Sequence, residues 1–374
     1  MDRPLTTRAS LRRTARLLPA LAAVLLAVAC ASTGARPAGR ASGAPPAGDA
    51  TAAAPAAPAQ AASEAATPRP VKLRVAYSEV YPAQTVPWTT ADTGIFARHG
   101  LDVDLTYIAS TQTVPAVIAG EVDIALGGGY AVINSDLAGS DLRMFMGIVN
   151  WFPYELMVTP DINGPEDLRG KKLGVSRFGS ASDTATRVVL KQFGLDPDRD
   201  VVILQTGSLQ ERVAAMQAGA VSGGVAAPPD PTRLRRLGFK SLLDVGASSG
   251  QEMNTIAFST ARWLDANQNT AQEFVNALIE GIHFAKTHRE ETEQVLMQRL
   301  KLDDPEELAD SYDYFITRHL ERVPDPGQDA TRRYLESQAA TDPRAASARV
   351  EDFFDLRFID RAKASGLVER LYGS

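Results

Sequence analysis

The sequence predicts an α/β protein of two lobes, each a mixed, mainly parallel sheet with helices on both faces, followed by a helical C-terminal region. Three observations carry this prediction. From residue 71 onward, strand-like and helix-like apolar segments alternate. The same order of segments recurs about 100 residues later. From residue 259 onward the pattern is helical.

Each element follows from local pattern. Lys72-Leu73-Arg74-Val75-Ala76-Tyr77 alternates as a strand does. The segment 94–100 reads as a helix end stopped by Gly100, and 101–105 as a second strand. A short helix over 114–119 ends at Gly120, and 122–126 forms a third strand running into Gly127-Gly128-Gly129. In the second copy Lys172-Leu173-Gly174-Val175 echoes Lys72-Leu73-Arg74-Val75. Phe193-Gly194-Leu195-Asp196 echoes His99-Gly100-Leu101-Asp102, and Ala218-Gly219-Ala220-Val221 echoes Ala119-Gly120-Glu121-Val122. Three echoes in one order imply duplicated lobes. The strand-like segments 155–158 and 255–258 lie outside the copies and are candidate hinge crossings. Beyond them, Thr270-Ala271-Gln272-Glu273 reads as a capping box, and Asp304-Pro305 as an N-cap followed by first-turn proline. The expected division is lobe 1 at 71–153 plus 254–374 and lobe 2 at 154–253.

The N-terminus reads as targeting sequence. Arg3, Arg8, Arg12, Arg13 and Arg16 precede an apolar run at 17–28, too short for a stable membrane span. The expectation is a signal peptide at 1–29. Arg12-Arg13 also invites a twin-arginine reading, although its flanks fit poorly. Cys30 is the single cysteine, so no intrachain disulfide can form. Residues 31–70, dominated by Ala, Pro and Gly, lack the large apolar side chains needed for a core and are expected to form a disordered linker. Net charge is −6; segment 1–29 carries five arginines and one aspartate, so its removal leaves −10. That balance argues against nucleic acid as a partner.

Two resemblances add to this reading. Leu26-Ala27-Val28-Ala29-Cys30 resembles a bacterial lipobox, which implies lipidation of Cys30; Ala27-Val28-Ala29 also fits an ordinary signal-peptidase site. The "A-G-x-V-D-I-A" segment from Ala119 to Ala125, its Gly-rich turn, and Asp167-Leu168-Arg169-Gly170-Lys171-Lys172-Leu173-Gly174-Val175 together resemble the nitrate, sulfonate, taurine and thiamine-pyrimidine-precursor binding proteins of ABC importers. Ser259-Thr260-Ala261-Arg262-Trp263-Leu264 and Phe274-Val275-Asn276-Ala277-Leu278 resemble helices of the same SsuA-like family. The resemblance covers residues 71–320. It implies a type II periplasmic-binding-protein-like fold, while the leader and the lipobox resemblance imply an exported, lipid-anchored lipoprotein of the periplasm or outer face of the inner membrane. It also implies a monomer without a cofactor that passes a small molecule to permease and ATPase subunits.

Ligands of open parallel sheets bind beyond the carboxyl ends of the strands. Five loops fall there: Tyr77-Ser78-Glu79, Ser110-Thr111-Gln112-Thr113, Gly127-Gly128-Gly129-Tyr130, Phe178-Gly179-Ser180-Ala181-Ser182 and Ala226-Ala227-Pro228-Pro229-Asp230. Gly179, Ser180 and Ser182 precede a helix whose free amides and dipole suit an anionic head, although Ser182 also reads as a simple cap. In the resembling family this loop contacts the ligand's acidic or polar head. Tyr77, Tyr81, Trp88, Tyr130, Trp151, Phe152 and Phe178 crowd the same region and suit an organic ligand, or else form core. Glu79 and Arg177 are candidates for selecting ligand charge. The expected ligand set is Tyr77, Ser78, Trp88, Ser110, Thr111, Gln112, Gly128, Gly129, Tyr130, Phe178, Gly179, Ser180, Ser182, Pro228 and Asp230, with no metal and no catalytic residue.

Enzymatic patterns are weak. Gly246-Ala247-Ser248-Ser249-Gly250 matches G-x-S-x-G, which needs a preceding strand and a following helix, whereas strand-like 255–258 follows it. His283 and His288 stand five apart and cannot share one helix face. A binding protein is expected, with a secreted hydrolase or precursor-converting enzyme on the same fold as the alternative.

Overall fold

A computed structural model describes residues 69–373 of the chain. The leader, Cys30 and the Ala/Pro/Gly segment up to residue 68 lie outside the described residues.

Among the described residues, ten strands form two sheets of five. The first contains β1 (Val71–Tyr77), β2 (Leu101–Tyr107), β3 (Ile124–Gly127), β4 (Leu142–Val149) and β10 (Thr255–Thr260), ordered β2-β1-β3-β10-β4. The second contains β5 (Glu155–Val158), β6 (Lys172–Val175), β7 (Val202–Gln205), β8 (Gly223–Ala226) and β9 (Lys240–Asp244), ordered β7-β6-β8-β5-β9. Each has four strands in one direction and one reversed strand, β10 or β5. The family-level expectation of a two-sheet α/β fold is therefore met.

The duplication seen in the sequence is a duplication of topology. Gly120 and Gly219 occupy matching places before β3 and β8, both with φ of 70°. The second copy differs after Gly194: its strand starts only at Val202, because 195–201 form turns. The candidate hinge segments need correction. β5 and β10 are full members of the sheets, each paired on both edges, so the crossings are the stretches before them, 150–154 and 245–254.

Alternation along β1 explains how the first sheet is covered. Leu73 and Val75 enter a core shared with helices Thr85–Asp92 and Gln268–Thr287, whereas Ala76 faces a second cluster with Val132, Ile256 and Phe258. The long C-terminal helix starts at Gln268, so Thr270 lies within it rather than capping it. Asp304 does cap the helix Pro305–Tyr312, accepting from the N–H groups of Glu306 and Glu307 at 3.0 and 3.1 Å. That helix also reaches the second sheet's helix Asp230–Arg236: Arg233 lies 2.6 Å from Glu307 and Arg236 2.7 Å from Asp304. The C-terminal region thus touches both lobes. His288 stands between two helices, which removes the shared-helix premise for His283 and His288. No described helix is long and apolar enough to cross a membrane.

Candidate functional site

A cleft of about 430 Å³ opens between the two sets of strand ends. Its walls come from the loops that follow β1 and β2 on one side and β6, β7 and β8 on the other. This is the crevice expected where parallel strands deliver loops to one edge.

Of the residues singled out in the sequence, Ser78, Ser110, Thr111, Ser180 and Ser182 line the cleft, together with Glu79, Tyr81 and Arg177. Others take different places. Trp88 is wholly buried in the first core, edge-on to Tyr77 at 5.7 Å, because its helix turns that face toward the sheet. Tyr77 packs with it and with Tyr107. Gln112 precedes the helix Thr113–Ile118 without capping it and is exposed outside the lining. Phe178 is 55% exposed and Gly179 donates its N–H to Asp183, so neither joins the wall. Pro228 lies one residue beyond the lining residue Ala227. Asp230 is buried and held by Arg233 at 3.1 Å.

The Gly127–Gly129 turn is displaced from the cleft by a segment distant in sequence. Gly129 donates its N–H to the Met253 carbonyl at 3.0 Å, and a side chain there would meet Met253 Cβ at 2.8 Å. The Tyr130 hydroxyl donates to Glu252 and its ring packs on Tyr334. Gly128, Gly129 and Tyr130 therefore brace the return crossing.

The helix Ala181–Gln192 begins as its sequence suggests, with a different serine as cap. Ser180 is the N-cap, its Oγ accepting from Asp183 N–H at 3.4 Å. Ser182 Oγ accepts from Ser176 N–H at 2.9 Å and lies 3.0 Å from Ser180 Oγ.

Sequence reasoning missed the loop after β7 and the helix behind it. Ser208, Leu209, Gln210 and Arg212 all line the cleft. The signal was present: Ser208 and Glu211 form a capping box that opens the helix Leu209–Gln217 directly after a strand. Arg212 lies four residues before Met216 on that helix's buried face, an unusual place for an arginine. Tyr107 and Tyr154 complete the walls.

The cleft is electrostatically mixed. Burial pushes the Glu79 carboxyl up to about 7, opposed by the Tyr81 hydroxyl and the positive charge of Arg212. Burial also raises Tyr81 and Tyr154, with Glu79's charge adding to both. Arg212 is pushed down by burial and supported by Tyr154, Asp230 and Glu79. Three tyrosines supply flat faces and hydroxyls, while serines and Thr111 supply hydrogen-bonding groups; such a surface can enclose a small organic molecule with a polar head. Among the described residues no cluster of His, Cys, Asp and Glu is placed to hold a metal ion. The G-x-S-x-G stretch follows β9, but Ser248 ends the short helix Val245–Ser248 and donates to the Val245 carbonyl at 3.3 Å. It sits on the return crossing, outside the cleft lining.

Two five-stranded sheets of one topology, linked by two crossings with a cleft between their strand ends, define a two-lobed α/β binding-protein fold. The NMT1/THI5-like family model matches residues 85–292, and the chain belongs to that family. No curated relative matches it. Solved structures share the fold at low identity. The alkanesulfonate-binding protein SsuA from Xanthomonas axonopodis pv. citri, bound to MOPS, is 18% identical with a TM-score of 0.61, covering 76% of this chain and 96% of its own. The periplasmic aliphatic sulphonate binding protein SsuA from Escherichia coli is 17% identical with a TM-score of 0.62, covering 76% and 96%. The desulfurization enzyme DszB is 15% identical with a TM-score of 0.56, covering 78% and 99%.

Proposed function

We propose that this protein is the extracytoplasmic solute-binding subunit of an ABC importer. It takes a small organic ligand, anionic or aromatic and sulfonate- or pyrimidine-like, into the cleft and delivers it to the permease. The observation that carries this reading is the cleft lined from both sheets, with tyrosine faces and hydrogen-bonding groups around one volume. The names of the two SsuA structures support the ligand class. In this reading lobe 1 comprises 71–153 plus 254–374, lobe 2 comprises 154–253, and the lobes close on the ligand. The protein is a monomer held at the outer face of the inner membrane by lipid on Cys30, and the permease meets its closed form. Ser78, Ser110, Thr111, Ser180 and Ser182 are the ligand contacts proposed from the sequence that lie on the lining.

The likeness to DszB favours one second reading, a converting enzyme on the same fold. A thermal-shift screen against sulfonates, taurine, pyrimidines, amino acids and oxyanions separates the two. A ligand at 100 times its dissociation constant adds about 2.7 kcal/mol of stability. The importer reading expects one equivalent bound and recovered unchanged. Multiple turnover of any screened compound would replace it with the enzyme reading.

A further inference from the structure

Arg212 is 2% exposed, lines the cleft and has no ion-pair partner within 4 Å among the described residues. Its Nη1 donates to Ser176 Oγ at 3.2 Å, and its Nε is buried without an acceptor. Nearby acids do not neutralise it by contact: Asp230 is engaged by Arg233, and Glu79 belongs to the other wall. A buried guanidinium with unused donors is costly unless an anion meets it.

The path of its side chain is built into the second sheet. Gly174 on β6 and Gly224 on β8 are register partners in adjacent strands. A Cβ on Gly224 would stand 2.7 Å from the Gly174 carbonyl oxygen, 2.8 Å from Arg212 Cδ and 3.3 Å from its Cγ; a Cβ on Gly174 would stand 3.0 Å from Thr206 Cγ2 and 3.1 Å from Arg212 Cγ. The arginine stem therefore crosses the sheet over two residues that have no side chain. This crossing leads from the helix Leu209–Gln217 to the cleft.

We propose that Arg212 receives the acidic oxygens of the ligand, and that Gly174 and Gly224 are positioning residues that form the track for its stem. The inference rests on reading the cleft as the ligand site. It narrows the ligand to a small organic anion, a carboxylate or sulfonate, with its acidic head against the second lobe. The planar guanidinium fork suits such a head better than a neutral one.

Matched pairs test this: alkane- and arenesulfonates and carboxylates against the corresponding sulfonamides and carboxamides, measured by calorimetry on the full chain. The anions should bind with one-to-one stoichiometry, and the amides at least roughly tenfold more weakly. Arg212→Ala should remove about 10- to 100-fold of the anion affinity. Gly174→Ala should weaken anion binding in the wild-type background and leave the residual affinity of Arg212→Ala unchanged. Thermal melts of the same proteins supply a ligand-free arm. Destabilisation by Gly174→Ala should be smaller in Arg212→Ala, where Arg212 Cγ is gone and the Thr206 contact alone remains. Amides binding as tightly as anions, or full affinity in Arg212→Ala, would overturn the arginine's role and leave the cleft reading standing. Equal effects of Gly174→Ala in both backgrounds would overturn the track. Failure of every member of both series to bind would overturn the cleft reading with it.

Discussion

Tyr81 Oη donates a 2.6 Å hydrogen bond to Asn254 Oδ1, joining the loop after β1 to the residue that precedes β10, 173 positions away. The same amide oxygen accepts from Thr255 Oγ1 at 3.2 Å. Two residues earlier, Glu252 accepts from the Tyr130 hydroxyl, and its N–H donates to the Asn150 carbonyl at 2.6 Å. The two crossings are thus fastened to each other and to the first sheet, directly beside a tyrosine that lines the cleft.

Tyr81→Phe keeps the ring, and its edge-on packing against Phe315 at 6.0 Å, while deleting the donor. Asn254 Oδ1 retains Thr255 as a partner, so the expected loss is one half-buried hydrogen bond, about 1 kcal/mol. Urea unfolding of the variant and wild type measures it from the midpoint at unchanged slope. A variant as stable as wild type would mean that the crossing is held by its other bonds.

The part of this site that was readable from the sequence is the part made by local pattern. Strand–helix alternation and the Gly120/Gly219 echo pointed to two sheets of one topology, and hence to the loops after β1, β2, β6 and β8. The Gly127–Gly129 turn had the same local pattern but lies under Met253 and Asn254, a contact made by residues more than a hundred positions away. Trp88 had the composition of a binding-site aromatic, and only tertiary packing decides that it fills the core. Arg212 shows the converse. On paper it is one more helix cation; its meaning comes from two register-paired glycines on strands whose pairing no local pattern specifies.

Glu79 should give the protein a distinctive dependence on pH. Its carboxyl titrates at about 7 in the folded chain and at its ordinary value of 4.5 when unfolded. Between these values the folded state holds more protons than the unfolded state, so stability falls as pH rises from about 4.5 to 7 and is level above. The side chain opens partly onto the cleft, where water screens it, so the expected size is about 1–2 kcal/mol. Glu252 shifts in the same direction and contributes to the same window, so wild type alone does not isolate Glu79. Denaturant unfolding of Glu79→Gln alongside wild type from pH 4.5 to 8 does. The variant should lack part of the decline and be the more stable protein at pH 8. Parallel curves for the two proteins would show that Glu79 is not the titrating group.

The serines at the start of the helix Ala181–Gln192 carry a structural role and a proposed ligand role, and two measurements separate them. Ser180 caps the helix through Asp183 N–H and donates to the Arg177 carbonyl at 2.7 Å. Ser180→Ala should therefore cost about 1 kcal/mol. Ser182 is only 2% exposed and takes the Ser176 N–H, whose own hydroxyl accepts from Arg212. Ser182→Ala leaves that half-buried amide without its acceptor, a cost of about 1 kcal/mol. Both variants should lower the melting temperature whether or not a ligand ever reaches them. A ligand contact adds something that bracing alone does not: a loss of affinity of about tenfold in calorimetry on the folded variant. Lower melting points with undiminished affinity in both variants would withdraw Ser180 and Ser182 from the ligand site and leave them as supports for the loop after β6.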